Sequence, residues 1–375
     1  MITIDKKSCT GCSACVNICP KNCITMNKDK EGFEYPLVNQ DLCIDCHLCE
    51  NACPLGKEIK KDTTPTPIAC YNTDEGIRLK SSSGGIFYLL ARLVLEQEGI
   101  VFGAAFDDDF HVHHISIDSI DQLPMLMKSK YMQSSIGNTF KEAKKYLDEG
   151  RLVYFTGTPC QIKGLHYYLK KDYSNLITQD IVCHGVPSNQ AFDKYVSDIN
   201  KDILLNVDFR SKDTSWKRYH MVLEFKNNKH SKMKNDDSYI NAFATLNANL
   251  RYSCYQCQAN GVNREADITL GDFWGIDKID KDMFDDRGTS LVLIHSLKGE
   301  KLFEQIKEYI VYKEESLDET LKYNQSIYLS SKTPKFRDSF YKELENKSFT
   351  SLVDKLLFYN KVKNKLSRLG KKIKK

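Results

Sequence analysis

CTGCSACVNICP at residues 9–20 and CIDCHLCENACP at residues 43–54 decide how this chain begins. Each run has the form C-x2-C-x2-C-x3-C-P, the spacing that wraps thiolates around an iron–sulfur cube. The two-residue loops let three consecutive sulfurs converge on one cluster. The fourth cysteine, set off by a longer step and followed by proline, points to the other cluster. Cys9, Cys12 and Cys15 are therefore expected to share a 4Fe–4S cluster with Cys53, and Cys43, Cys46 and Cys49 to share one with Cys19. Pro20 and Pro54 fix the backbone beside the crossing ligands. Zinc is the competing reading, but it needs four ligands and commonly takes two CxxC pairs. Two complete four-cysteine runs favour a ferredoxin-type unit that handles electrons.

Working outward, residues 1–58 form that unit, and the charged, then proline-bearing stretch at 59–67 reads as a linker. From Ile68 the pattern turns to alternating strands and helices. Strands are expected at Ile68–Asn72, Ile100–Phe106, Val112–Ile117, Leu152–Thr156 and Leu176–Val182. Others are expected around 207–210, 219–225, 267–271 and 290–294. Helices are expected at 85–98, 136–148, 160–171 and 189–200. The fold class is mixed α/β with an appended small iron–sulfur domain. The body divides at about residue 150, into 68–150 and 151–330, and a basic tail follows at 331–375.

Composition narrows the rest. The 375 residues suffice for two or three compact units. With 54 Lys and Arg against 50 Asp and Glu, no field for nucleic acid is implied. Fourteen cysteines behind a start without an apolar signal core point to a reducing compartment and metal ligation. The cytoplasm is the expected location.

Eight cysteines belong to the ferredoxin unit. Of the others, Cys254 and Cys257 form a CxxC, Cys160 sits just inside a helix start, and Cys183 follows a strand. These four could close a third tetrathiolate site. Cys160 could instead be a reactive nucleophile favoured by the helix dipole, or Cys160 and Cys183 could be isolated small hydrophobes. Cys23 and Cys70 read as packing residues.

Clusters pass electrons singly, and coupling them to hydride chemistry calls for a flavin. The best phosphate cradle is KSSSGGIF at residues 80–87, whose Ser82, Ser83, Gly84 and Gly85 precede an apolar helix. A plain serine cap is the bland alternative. Further candidates sit at expected strand ends: Lys128, Lys130 and Tyr131; Gly157 and Thr158; Gly271, Asp272 and Trp274; and Thr289. No GxGxxG fingerprint supports a nicotinamide site.

SSSGGIF, SKYMQS, FTGTPCQIKGL, DIVCHGVPS, CYQC, NREADITLGDFWG and GTSLVL, in this order, resemble the coenzyme F420-reducing hydrogenase beta subunit and its relatives, the formate dehydrogenase beta subunit among them. The resemblance runs from about residue 68 to 295. It implies FAD and a further 4Fe–4S cluster in the body, with Cys160, Cys183, Cys254 and Cys257 as ligands, and an oxidoreductase activity. The archaeal hydrogenase subunit lacks the fused ferredoxin, which implies a different electron partner here, a ferredoxin-type carrier or a partner oxidoreductase. The substrate implied is an organic molecule or a deazaflavin-like coenzyme. Chains of this fused layout also resemble proteins found beside polysaccharide-building enzymes. The general acid stays open among Lys130, Tyr131 and His184. An electron-transfer subunit without a substrate site, and an iron–sulfur sensor or scaffold, are the rival classes.

The tail sets Leu352, Leu356, Tyr359, Leu366, Leu369 and Ile373 near one helical face, with lysines and Arg368 between them. Such a helix can lie on an anionic membrane surface or dock to an acidic partner.

Overall fold

The ferredoxin unit repeats itself in backbone as in sequence. Ser13 and His47 both take left-handed conformations, each starting a five-residue helix, Ala14–Ile18 and Leu48–Ala52. Cys19 and Cys53 close those helices in extended geometry. The computed structural model describes residues 2, 5–58 and 64–373, with side chains described as far as Val362. Residues 59–63, most of the expected linker, therefore lie outside the described residues.

Thirteen strands follow one another along the described chain: β1 Ile24–Lys28, β2 Glu34–Val38, β3 Ile68–Asn72, β4 Ile100–Phe106, β5 Val112–Ile117, β6 Val153–Gly157, β7 Leu176–Ile181, β8 Leu204–Ser211, β9 His220–Phe225, β10 Lys229–Met233, β11 Ile268–Asp272, β12 Ser290–Ile294 and β13 Ile310–Glu314. β1 and β2 form an antiparallel hairpin in the ferredoxin unit. The body is built on an eight-stranded sheet in the order β13-β3-β12-β11-β7-β6-β4-β5. Its centre, β4-β6-β7-β11, is parallel, and antiparallel strands finish both edges. The central strands are buried on both faces, as their apolar sequence requires.

The helix Ile86–Glu96 covers one face, where Leu89, Leu90 and Val94 pack with Tyr154, Ile177 and Leu270. The helices Thr139–Asp148 and Pro159–Leu169 cover the other, joining Phe140, Ile162 and Leu165 to Phe102 and Phe155. A second sheet, β8-β9-β10, is antiparallel and packs with the helix Asn189–Ile199 around Phe209, Tyr239 and Phe349.

The ferredoxin unit is seated on the helix Pro159–Leu169. Gly164 makes that possible: a methyl there would lie 2.9 Å from Cys12 Cβ and 3.0 Å from Cys12 Sγ.

The C-terminal helix runs from Phe349 to Ile373. Leu352 and Val353 are buried and Leu356 and Leu357 half-buried in the core of the second sheet, whereas Tyr359 is exposed. The first turns of the expected amphipathic face are thus spent on the body. The side chains of Leu366, Leu369, Ile373 and the basic residues from Lys363 onward lie outside the described residues. Among the described residues no helix is long and apolar enough to cross a membrane.

Candidate electron-transfer site

Three small cavities are each ringed by the four cysteines that the sequence groups together. Cys19, Cys43, Cys46 and Cys49 line the outermost, which also takes Cys23. Cys9, Cys12, Cys15 and Cys53 line the second. Cys160, Cys183, Cys254 and Cys257 line the third, inside the body. Among the described residues no three His, Cys, Asp or Glu side chains close on a point as a single metal ion requires. All fourteen cysteines are free thiols.

Burial, and then neighbouring cysteines, push Cys160 up to about 11 and raise Cys183 well above the ordinary thiol range. Burial pushes Cys254 up to about 12, with Cys160 and Cys257 adding to it. Bare thiolates would repel one another here, so ionising the set calls for a positive core among them. At Cys160 burial thus works against the helix start that would favour a thiolate. In the second cavity Cys12 is pushed up to about 12 for the same reason.

The sequence reading placed Cys23 as a packing residue, and here the structure differs. Cys23 Sγ lies 3.4 Å from Cys19 Sγ. Burial raises Cys19, but hydrogen bonds from the Cys23 side chain and the Cys23, Lys21 and Asn22 backbone outweigh it and hold the thiol below its usual value. The Cys19 contact, with burial, pushes Cys23 up to about 11. Either sulfur can donate across this contact; with Cys19 held as a thiolate, Cys23 S–H would be the donor.

The fourth cavity is the large one, about 320 Å³. It lies at the carboxyl ends of the parallel strands, against Gly157 of β6, Ile181 of β7 and Gly271 and Asp272 of β11. Open α/β sheets bind ligands at this place. Of the residues singled out from sequence, Ser82, Ser83, Gly85, Lys128, Lys130, Tyr131, Gly157, Thr158, Gly271 and Asp272 line it. Gly84, Thr289 and Trp274 stand behind the wall. Gly84 donates its N–H to Ser290 Oγ at 2.9 Å, and a methyl there would fall 2.5 Å from the Cys70 carbonyl oxygen. Thr289 is spent on the Met283 carbonyl at 2.7 Å, and Trp274 stacks on Trp216 at 5.1 Å.

The serine–glycine loop is fixed from behind. Lys212 Nζ donates to the carbonyls of Arg78, Ser83 and Arg287, each at 2.7 Å. Gly85 has φ +83°, a left-handed turn that starts the helix Ile86–Glu96. Ser81 Oγ donates to the Ile77 carbonyl at 2.8 Å and Ser83 Oγ to the Thr289 carbonyl at 3.0 Å, while Ser129 Oγ donates to Ser82 Oγ at 2.9 Å.

Lys130 donates to the Met127 carbonyl at 2.8 Å, and burial followed by the Lys128 charge pushes it down to about 7. Burial raises Tyr131. His114, in an HVHH stretch whose histidines suggest either a metal site or a solvated strand, is buried in the same wall. Nε2–H donates to the Thr156 carbonyl at 2.9 Å, so Nδ1 accepts from Ser134 Oγ at 2.7 Å. Burial first pushes it down to about 4, and this neutral tautomer results. His184 lies elsewhere, on the third cysteine cavity, with Nε2 2.7 Å from Asn247 Oδ1.

The four cavities adjoin. Cys15 and Cys19, from opposite ends of one short helix, share a buried cluster with Cys43 and Cys49. Thr10 lines both the second and third cavities. Ser134, Thr158 and Gln161 line both the third cavity and the large one. Gln161 fixes that last wall: its Oε1 accepts from the Thr158 N–H at 2.9 Å, and its Nε2 donates to the Ser134 carbonyl at 3.0 Å.

Paired four-cysteine half-sites seated on an α/β body define an iron–sulfur electron-transfer protein. Residues 8–57 match the 4Fe–4S dicluster domain, and residues 150–320 match the C terminus of the coenzyme F420 hydrogenase/dehydrogenase beta subunit. The chain thus carries a 4Fe–4S dicluster domain at its N-terminal end and, in its body, the C-terminal domain of the coenzyme F420 hydrogenase/dehydrogenase beta subunit. An uncharacterized protein of Methanocaldococcus jannaschii is 24% identical over 353 residues, covering 83% of this chain and 90% of that protein. An uncharacterized ferredoxin of the same organism is 31% identical over 64 residues, covering 17% of this chain and 82% of the ferredoxin. A chain of the F420-reducing NiFe hydrogenase complex from Methanosarcina barkeri superposes with a TM-score of 0.47 at 16% identity, covering 69% of this chain and 89% of its own.

Proposed function

We propose that this chain relays single electrons between an external carrier and FAD through three 4Fe–4S clusters, and that the flavin exchanges a hydride with an organic substrate or a deazaflavin-like coenzyme. The row of adjoining cavities carries this reading. Cys19, Cys43, Cys46 and Cys49 would hold the outer cluster, Cys9, Cys12, Cys15 and Cys53 the middle one, and Cys160, Cys183, Cys254 and Cys257 the inner one. The modules keep the boundaries set out above, with the body beginning at Ile68.

Bound FAD supplies the exchange between one-electron and two-electron chemistry. The chain's own residues do the rest. Ser82, Ser83 and Gly85 fit a phosphate at the start of a helix. Gly157, Thr158 and Gly271 leave room at the strand ends, and Lys128 and Asp272 place opposite charges on the wall. Lys130, with its ammonium destabilised by burial, is suited to give up or take a proton near neutral pH. The Gln161 wall keeps water from the passage between inner cluster and flavin.

A second reading rests on the outer end. Leu37, Leu42 and Ile44 are exposed beside the outer cysteine cavity, at 57%, 55% and 58%. Apolar side chains there suit a docking partner, either a carrier or a catalytic oxidoreductase subunit.

Anaerobic purification with iron, sulfide and flavin counted per chain tests the proposal, in wild type and in Cys254→Ala/Cys257→Ala. About twelve irons with one FAD, falling by about four irons in the variant, is the expected result. About eight irons in both, without flavin, would leave the electron-transfer subunit reading alone.

A further inference from the structure

Arg210 sits at the end of β8, 5% exposed, on the wall of the large cavity. Its Nη1 is paired with Asp272 Oδ2. Trp216 Nε1 donates to the other carboxylate oxygen at 2.9 Å, so Asp272 is fully engaged. The Arg210 face stacks over Tyr219 at 4.6 Å. Its in-plane donors Nε and Nη2 have no partner, although both are buried. A guanidinium offers its N–H groups in a flat fork, so stacking does not satisfy them. Leaving such donors unpaired is costly, and buried polar groups in proteins are almost always matched.

The surroundings show what would match them. The charged residues on the cavity wall are Lys128, Lys130 and Arg210 against Asp272 alone, three cations to one carboxylate. Lys128 leans toward Asp208, outside the wall, and Lys212 is committed to backbone carbonyls. Lys212 is nevertheless informative. It lies two residues beyond Arg210 and grips the Ser83 carbonyl, so the Arg210 end of β8 is held beside the serine–glycine loop. Two unpartnered guanidinium donors, the Ser82 hydroxyl and a helix N-terminus are therefore gathered around one cavity.

We infer that Arg210 is an anchor for an oxyanion in the large cavity, and that this oxyanion is a phosphate of the bound flavin nucleotide. The inference deepens the flavin reading proposed above and rests on it. Arg210 presents a bidentate fork to two phosphate oxygens, as guanidinium groups do. Asp272 and Trp216 hold the fork in place without consuming it.

The test uses the full chain, purified anaerobically with its clusters and stripped of flavin. FAD, riboflavin and inorganic pyrophosphate are titrated into wild type, Arg210→Gln and Arg210→Lys. Near-ultraviolet circular dichroism of the Trp216–Trp274 pair checks that each variant is folded. The expected result is FAD affinity weakened roughly 10- to 100-fold in Arg210→Gln, riboflavin affinity unchanged, and an intermediate loss in Arg210→Lys. The lysine variant keeps a charge for Asp272, so it reports on the fork even if the glutamine variant misfolds. If FAD binds alike and only pyrophosphate binding to the FAD-loaded chain weakens, the anchor stands and its oxyanion belongs to a second ligand. If wild type takes up neither FAD nor riboflavin, the flavin reading fails by itself, and the pyrophosphate arm still decides on Arg210. Equal binding of all three probes by wild type and folded variants would overturn the inference.

Discussion

Arg251 Nε donates to the backbone carbonyl of Cys9 at 2.9 Å, joining residues 242 positions apart in sequence. The same guanidinium donates to the Glu34 carbonyl and to Gln133 Oε1, each at 2.9 Å, and lies 4.1 Å over the Tyr35 ring. Arg251 is fully buried and also lines the inner cysteine cavity. It is the rivet between ferredoxin unit and body, set between two of the cysteine cavities.

Arg251→Met should therefore loosen the unit from the body. Two backbone carbonyls lose charge-assisted bonds in a buried place, at a cost of about 3 kcal/mol or more. Both tryptophans sit in the body, where they pack around Phe273 and Leu291. Denaturant titration should show cluster absorbance lost before tryptophan fluorescence changes in the variant, and together in wild type. Coincident transitions in both would count against the rivet.

Gly164→Ala reverses a familiar sign. Alanine in a helix interior ordinarily stabilises by about 1 kcal/mol over glycine. Here the added methyl meets Cys12 at about 3 Å, with no flexible chain end to give way. A loss of about 1–3 kcal/mol is expected, as for other overpacked positions. The thermal midpoint and the iron count should both fall; a raised midpoint would contradict the packing.

Cys23→Ala should leave the iron count unchanged and lower the potential of the outer cluster. With Cys19 bound to a cluster as thiolate, Cys23 S–H would donate across their 3.4 Å contact, and hydrogen bonds to cluster sulfurs raise potentials. Losing one worth about 1 kcal/mol corresponds to roughly 40 mV for a single electron. Redox titration followed by electron paramagnetic resonance measures it. Loss of about four irons would instead make Cys23 a ligand.

Lys130→Met should change stability in a pH-dependent way. Burial and Lys128 hold the folded-state value at about 7 against an ordinary 10.5. Between these values the unfolded chain binds a proton that the folded chain lacks, so stability rises with pH across that window. Below about 7 both states carry the charge, and the folded state bears the whole cost of burying it. The variant's stability relative to wild type should be greatest near pH 7 and decline toward pH 10.5. Urea titrations along that range check it, and a difference flat in pH would refute it.

Much of the body was legible where burial dictates sequence. Ile68–Asn72, Ile100–Phe106, Val112–Ile117 and Ser290–Ile294 are strands over those very residues, because apolar runs or clean alternation leave no other pairing. The helix expected from Ile136 begins at Thr139 instead, since Gly137 takes a φ of +56°. β10 and β13 escaped notice. Lys229–Met233 has no buried residue and Ile310–Glu314 has one, so neighbours rather than pattern make them strands. The cysteine groups were readable because ligand spacing is local. Arg210 was not: its importance lies in which wall it meets, and that wall comes from distant segments. A hint was present in the F-R-S-K stretch, where alternation puts Arg210 and Lys212 on one side.

The twin left-handed turns at Ser13 and His47 make the ferredoxin unit close to a palindrome. Either half could, by shape alone, have faced inward. Arg251 and Gly164 engage the half that carries Cys9 and Cys12, and leave Cys46 exposed at the other end. Duplication on its own yields two equivalent stations. Seating one of them against the body gives the pair a front and a back, so the order of stops along the line is written into the docking and not into the cysteines.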